Sequence, residues 1–451
     1  MSTISVVGAG VGGLVSAAKL AAAGHDVTVY EYNTKENCGL EQVDSFDATA
    51  MDYAGIEIPD GWLSPGNELT FYPLDPDAEP LTLPCDENYR NITVDRKELF
   101  SYLYSLAEVE GVKFEFETLV TGPVILGGRV CGIETDKGRV YCDLVIDSAG
   151  MDSPVRTGLP DYMDIEKQAG HYDFLYSYRA CIKRKPDFPD PEHRYKIYVN
   201  CDTGFTWIIT EKDYVDVLIV DFNEIPYSVV ADRLRFVSEK NPHMDKEMIR
   251  NGKFRKIPVR QPLPVFVADG YAALGDSAFM TYAAKGSGIA YSLKAATILA
   301  DAVQKDENGI FDADTLWEYE RTFFKEIGFD ACRIALGKNL LPYMTAKEVN
   351  EIFTAKLIST EELYAVLTGS FQKHKIPVLV KDKLKLLGTL PDFRSKLMNL
   401  VAWIGKFALI ETSLPAKYSR DDVRKWQEKY NSFFDSVKRN DIPEVEFNQL
   451  Q

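Results

Sequence analysis

Along the first thirty residues the apolar positions change period twice. Ile4 to Val7 is a short β-branched run fit for a buried strand, Val15 to Ala23 repeats small apolar residues at helical spacing, and Val27 to Tyr30 returns to a strand. Gly24 stops the helix. Gly8, Gly10 and Gly13 fall at the strand-to-helix turn in G-x-G-x-x-G spacing, which permits a tight turn and a close backbone approach. The helix that follows offers free N-terminal amides and a positive dipole end to a pyrophosphate. Glu31, closing the second strand, is an acceptor for ribose hydroxyls and argues against a 2′-phosphate there. Strand, helix, strand and terminal acid in register predict a dinucleotide site.

Further along, residues 39–84 read as loop-rich, with PLDPDAEPLTLP as a hairpin or excursion over the nucleotide domain. A helix is expected from Arg96 to about Val109, followed by a strand. RVCGIET and RVYCDLVIDSAG alternate about a turn at Asp136–Gly138 and lead into a buried strand at Leu144–Ile146. Between about Pro160 and Pro258 the strands lengthen (KIYVNC, FTWIIT, VDVLIVDF), and this block reads as a separate antiparallel sheet. Then GYAALGDSAFMTYAAKGSGIAYSLKAATILADAV restores a buried strand, a glycine turn and a helix. Beyond about Phe311 the pattern is helical.

Composition narrows the picture. A chain of 451 residues, 45% hydrophobic and 26% charged, can build two or three domains with ample core. A net charge of -17 disfavours nucleic acid as a partner. No apolar run is long enough to cross a membrane, and the glycine motif starts too early for a cleaved signal, so a cytoplasmic location is expected. Seven scattered cysteines without a C-x-x-C pair and five dispersed histidines give no disulfide framework, and no metal is expected.

Three separated segments share one pattern. The glycine triplet with Glu31, VDRKELFSYL around Arg96, and LGDSAFMTYAAKGSGIAYSLKAA around Asp276 resemble the FAD-binding elements of glutathione-reductase-like flavoproteins. That superfamily includes aromatic-ring hydroxylases, flavin halogenases and geranylgeranyl reductases. The resemblance implies FAD as cofactor, with Glu31 on the adenosine ribose, Arg96 near the pyrophosphate and Asp276 on the ribityl chain. Independently, the KGSG turn with Gly286 and Gly288 precedes a helix whose N-terminus could stabilise negative charge on a reduced flavin. No second nucleotide motif follows a strand.

Within the superfamily, DSAGMDSPVR (Asp147–Arg156) is similar to the D-A-S-G turn of the geranylgeranyl reductase family, since Ala149 stands where hydroxylases carry an acid. GFTWIITE resembles that family's aromatic strand and retains Phe205 and Trp207, which become candidate substrate contacts, although its final Phe-Pro is missing. Tyr282 stands where the family usually has proline before the glycine turn. Cys38-Gly39 resembles a flavin-proximal cysteine of the reductases, so Cys38 is the candidate catalytic thiol and proton source.

Tyr172, Phe174, Tyr176 and Tyr178 alternate, which puts their rings on one face of a strand, either as sheet core or as a wall for an apolar substrate. Between Lys373 and Lys406 stand eight Lys or Arg against two Asp, and Leu397, Leu400, Val401, Ile404 and Phe407 can share a helical face. This segment, 373–407, is either a docked helix with a basic side or a peripheral membrane contact receiving a lipid-like substrate.

The expected fold is α/β: a discontinuous Rossmann-like FAD-binding domain (1–160 and 259–310), an antiparallel-sheet substrate domain (161–258) and a helical C-terminal region (311–451). The expected activity is FAD-dependent reduction of carbon–carbon double bonds in an isoprenoid or other long apolar substrate, with electrons from NAD(P)H or a ferredoxin-type protein. The alternatives are an NAD(P)H-dependent flavin monooxygenase of the aromatic hydroxylase type, and a non-catalytic flavoprotein that binds a lipid or a partner.

Overall fold

The computed structural model describes all residues except 66–67, 74–76, 85–89, 171–172, 200–203, 340–343, 345, 355–356, 358, 361–362, 364–390 and 438–451. Tyr172 and residues 373–390 of the basic C-terminal segment therefore lie outside the described residues.

Strand β1 (Thr3–Val7) runs parallel to β2 (Asp26–Tyr30) on one side and to the strand Leu144–Asp147 on the other. In the full six-stranded order, residues 267–268, 271–273, 144–147, 3–7, 26–30 and 113–115 lie side by side. Every residue of Leu144–Asp147 is buried, as a near-continuous apolar run covered on both faces should be. The helix α1 (Val11–Ala22) begins at Val11, four residues earlier than the apolar spacing predicts. Gly12 and Gly13 therefore lie inside the first turn, where a side chain at Gly12 would strike Leu274. The helix Ile289–Gln304 packs against α1 through a surface rich in buried alanines, which lets the two axes approach closely. Helix Arg96–Val109 has the predicted bounds. Asp95 caps it by accepting from the Lys97 amide at 2.9 Å, which fixes Arg96 in the first turn.

The second large sheet has seven strands in the order 244–258, 174–184, 214–221, 205–210, 195–199, 69–72 and 81–83. Its last two members correct the sequence reading. The excursion expected at residues 73–84 over the nucleotide domain is flanked by strands Leu69–Tyr72 and Leu81–Leu83, which join the substrate-side sheet through parallel pairing of Thr70–Tyr72 with Lys196–Tyr198. Tyr72 stacks on Tyr198 with ring centroids 4.9 Å apart, which anchors that edge. Helix Tyr227–Lys240 covers one face of the sheet, burying Tyr178, Ile208, Val217 and Ile219 against Val230 and Val237.

The described part of the C-terminal region is helical, and its last two helices, Pro391–Glu411 and Arg420–Val437, dock on the nucleotide side. Phe407 is fully buried beside Tyr430 and Phe434, and Leu400 and Ile404 pack on the same core. Lys396 pairs with Glu348. Leu400, Ile404 and Phe407 of the predicted apolar stripe are thus turned to the protein. None of the described helices is long and apolar enough to cross a membrane.

Candidate active site

The glycine turn, Glu31, the turn after Asp147 and the Asp276 turn all lie at the carboxyl ends of the parallel strands, the edge where open α/β sheets hold ligands. Gly8 has φ +94°, and a Cβ there would stand 2.5 Å from the Ser148 carbonyl oxygen, so both backbone conformation and space require glycine. Gly10 caps α1 without any side-chain bond, and the helix has no acidic residue in its first turn, which leaves its amides available to an anion. Glu31 is buried. One carboxylate oxygen accepts from the Ala9 amide at 2.9 Å, and the other from the backbone and side-chain nitrogens of Asn33 at 2.9 and 2.8 Å. The acid therefore aims its carboxylate at the glycine loop before any ribose arrives.

Asp276 stands in a short turn, with Thr281 donating to it at 3.2 Å. Burial raises its pKa, while the Thr281 hydroxyl and the charge of Arg96 pull it down. The structure thus brings Arg96 and Asp276 within electrostatic reach, 180 positions apart in sequence. A Cβ on Gly288 would come 3.0 Å from an Asp276 carboxylate oxygen, so the glycine turn closes on the acid. Gly288 also begins helix Ile289–Gln304 with no side-chain cap and no acid in the first turn, a second open set of amides. Gly286, with φ +64°, faces Ile257 of the second sheet. Two uncapped helix starts with the acids Glu31 and Asp276 beside them fit FAD. Arg96, whose charge reaches Asp276, is bonded at 3.2 Å to Asp44.

Two residues here escaped the sequence reading. Asp147 is completely buried and accepts from five donors: the Ala149 and Arg156 amides, the Ser153 and Ser277 hydroxyls and the Tyr271 phenol, at 2.6–3.2 Å. Ser277 also accepts from the Gly150 amide at 2.9 Å, and its carbonyl receives Arg156 Nη1 at 2.8 Å. The Asp147 turn is thereby bolted to the Asp276 turn. Beneath them Phe279, at φ +54°, is flanked by the guanidiniums of Arg156 and Arg260, 4.6 and 4.7 Å from its ring centroid. The Lys285 amide, within the KGSG turn, donates to the Tyr282 carbonyl at 3.1 Å, while its ammonium has no ion pair or hydrogen bond among the described residues. Burial lowers its pKa to about 8, with Asp47 opposing the shift. A lysine beside a glycine turn was the available signal, but its environment comes from residues far away in sequence.

Cys38 is buried, and its Sγ donates to the Thr34 carbonyl at 3.3 Å. Burial, together with the charges of Glu31 and Glu36, pushes its pKa up to about 12, so it is a thiol at neutral pH.

The second sheet presents its other face toward the glycine turn. Leu175, Val220 and Val259, with Phe205, Leu218 and Ile257 at the margin, pack with Tyr282, Ala283 and Tyr291. Phe205 pairs with Val220, and Trp207 with Leu218 and Ile197, so both candidate substrate residues share this face and both are half-buried. The Trp207 indole nitrogen is buried without a hydrogen-bond partner among the described residues. Tyr176 and Tyr178 do share a face, as their alternation predicts, but it is the opposite one, under helix Tyr227–Lys240. Those tyrosines are core.

Residues 6–39 match the family described as an NAD(P)-binding Rossmann-like domain. A digeranylgeranylglycerophospholipid reductase of Haloferax volcanii is 24% identical over 315 residues, or 66% of this chain and 74% of that protein. The solved structure of a geranylgeranyl bacteriochlorophyll reductase-like protein from Thermoplasma acidophilum is similar with a TM-score of 0.69 and 16% identity, over 85% of this chain and 99% of that one. In both sequence and fold the chain is thus similar to FAD-dependent reductases of the geranylgeranyl type. The fold alone is wider than that: a flavin-dependent halogenase shares it with a TM-score of 0.59 and 18% identity, over 96% of this chain and 78% of that one.

Proposed function

We propose that this oxidoreductase reduces carbon–carbon double bonds in an isoprenoid chain or another long apolar substrate. The observation that carries the reading is the apolar half of the second sheet, Phe205, Leu218, Val220 and Ile257, packed opposite the Tyr282–Gly288 turn. A chain of alkene units lying on that face would exclude water from the reacting carbon and be oriented by the aromatic and branched side chains. FAD, when bound and reduced, supplies the hydride, having received its electrons from NAD(P)H or a ferredoxin-type protein. Gly8, Gly10, Gly13 and Glu31 would hold its adenosine end, Arg96 the pyrophosphate, and Asp276, Gly286 and Gly288 the ribityl and ring end.

The second hydrogen must arrive as a proton. Lys285 carries one at neutral pH with a pKa of about 8, near the value that serves a general acid. Cys38, whose sulfur is committed to Thr34, is better suited to holding its loop. The test is anaerobic: the FAD-loaded protein, reduced with dithionite, is mixed with a geranylgeranyl-bearing phospholipid, and the extracted lipid is weighed by mass spectrometry. A gain of two hydrogens per double bond is expected. An unchanged lipid, or one modified only when oxygen is admitted, would refute the reading.

A further inference from the structure

The face of the second sheet that looks toward the glycine turn is divided. Strands 195–199, 205–210 and 214–221 give it Ile197, Phe205, Trp207, Leu218 and Val220, whereas strands 174–184 and 244–258 give it Arg179, Arg250, Lys253 and Arg255. Cross-strand register fixes this: Arg179 stands opposite Lys253 and Leu218, Ser177 opposite Arg255 and Val220. The four cations line a cleft whose other wall is Glu41 and Gln42, from the loop after β2. The lining of the cleft holds four cations and one carboxylate, with Asp44, Asp95 and Asp216 reaching Arg179 and Arg250 from outside it.

The cations are not equally committed. Arg179 is fully used: Asp216 binds it through both oxygens at 2.7–3.1 Å, Asp44 at 2.9 Å, and the Val43 carbonyl at 2.6 Å. It ties the sheet to the nucleotide side. Lys253 shares Glu41 with Lys97, each contact being 3.3 Å. Arg250 reaches Asp95 with one nitrogen at 3.2 Å, while its Nη1 is buried without a partner among the described residues. Arg255 is exposed and has no ion pair among the described residues. An unpaired buried guanidinium N–H is costly unless something accepts from it.

We propose that this cleft binds a phosphate-bearing anion, held by Arg250, Lys253 and Arg255, beside the apolar half of the same face. None of these residues belongs to the set assigned to FAD. The inference rests on the flavoprotein reading for its setting, and it adds the charge of a ligand that the apolar half does not specify. Two sources carry the required chemistry, a lipid head group and the 2′-phosphate of a nicotinamide dinucleotide, and they are separable by experiment.

Inorganic pyrophosphate is titrated into the FAD-loaded protein by calorimetry at fixed ionic strength. Saturable binding at one site is expected, weakened about tenfold or more by Arg255→Gln, and likewise by Arg250→Gln, each losing a charge-assisted contact. Flavin absorbance and melting temperature report separately on cofactor binding and folding. Arg255→Gln, at an exposed position whose side chain has no ion pair among the described residues, serves as the variant that keeps its fold. If the source is the dinucleotide, Arg255→Gln raises KM for NADPH about tenfold and leaves NADH unchanged. If it is the lipid, the variant loses co-sedimentation with vesicles of phosphatidylglycerol in phosphatidylcholine and keeps its nicotinamide kinetics. No saturable pyrophosphate binding, equal binding by Arg255→Gln, or no change in either the NADPH or the vesicle measurement would overturn the proposal, even with a fully yellow protein.

Discussion

The two faces of the seven-stranded sheet are built from the same strands, yet one is closed and the other is open. Under helix Tyr227–Lys240, Ile208, Val217 and Ile219 are completely buried, and even a histidine is enclosed: His243 meets the Thr210 hydroxyl at 3.1 Å. On the face toward the glycine turn, Phe205, Trp207 and Ile209 are only half-buried, and a tryptophan N–H lacks a partner. The closed face follows the rules of a protein interior, where polar groups are satisfied and volume is filled. The open face departs from the polar rule at Trp207, whose N–H has no partner among the described residues. A half-buried apolar surface that faces the Tyr282–Gly288 turn is the place to look for a substrate.

That contrast can be broken in several ways. The largest effect is expected opposite the open face, at Lys285. Replacing it with methionine should lower turnover about 100-fold or more, the usual scale for a lost general acid, and should remove a break near pH 8 from the pH–rate profile. Stability should hold or rise. Because the folded pKa of Lys285 lies below its unfolded value, the unfolded chain binds more protons between pH 8 and 10.5, and the wild type gains stability as pH rises through that window. A methionine variant with unchanged kinetics would remove the lysine from the chemistry.

On the closed face, Ile219→Ala should cost about 2–5 kcal/mol in urea melts and leave the flavin content at normal levels, because it opens a cavity in packed core. A cost well under 1 kcal/mol would show that this face is as loose as the other one. The enclosed histidine adds a pH test. Burial first, then the charges of Lys196, Arg184 and Lys185, lower the His243 pKa to about 4. Between pH 6.5 and 4 the unfolded state therefore binds more protons, and the melting temperature should fall across that interval, less steeply in His243→Gln. The smallest effect is expected at Trp207. Changing it to phenylalanine removes the unpartnered N–H and should leave the melting temperature unchanged or slightly higher, while KM for an apolar substrate rises. A clear loss of stability would mean that the indole nitrogen has a partner after all.

Much of the cradle was legible in the sequence because its determinants are local. Gly8, Gly10, Gly13 and Glu31 sit within one βαβ unit, so spacing alone brings them to one edge, whereas Arg96 came from the resemblance. Asp276 needed the resemblance, since nothing local connects it to Arg96. The substrate side was less legible. Alternation put Tyr176 and Tyr178 on one face but could not say which face a helix would cover, because that depends on how the whole sheet packs. The 69–83 hairpin joins strand 195–199 across more than a hundred residues, a pairing that no local pattern encodes. The cationic half of the open face is spread over two strands whose register slips between Arg179 and Cys181, which hid it from any periodic reading. Cys38 shows the reverse: a recognisable dipeptide whose surroundings, Thr34, Glu31 and Glu36, suit a different duty.

The excursion of Leu69–Tyr72 into the far sheet has a mechanical corollary. The chain passes from the nucleotide half to the other half and back before the main crossing near residue 174, and Arg179 clasps Asp44 at a separate point. Swinging the halves apart as rigid bodies would have to unzip a strand pair and break a sheltered ion pair together. A long guest would therefore thread in at the rim while the frame stays shut, and heat should melt both halves in a single step.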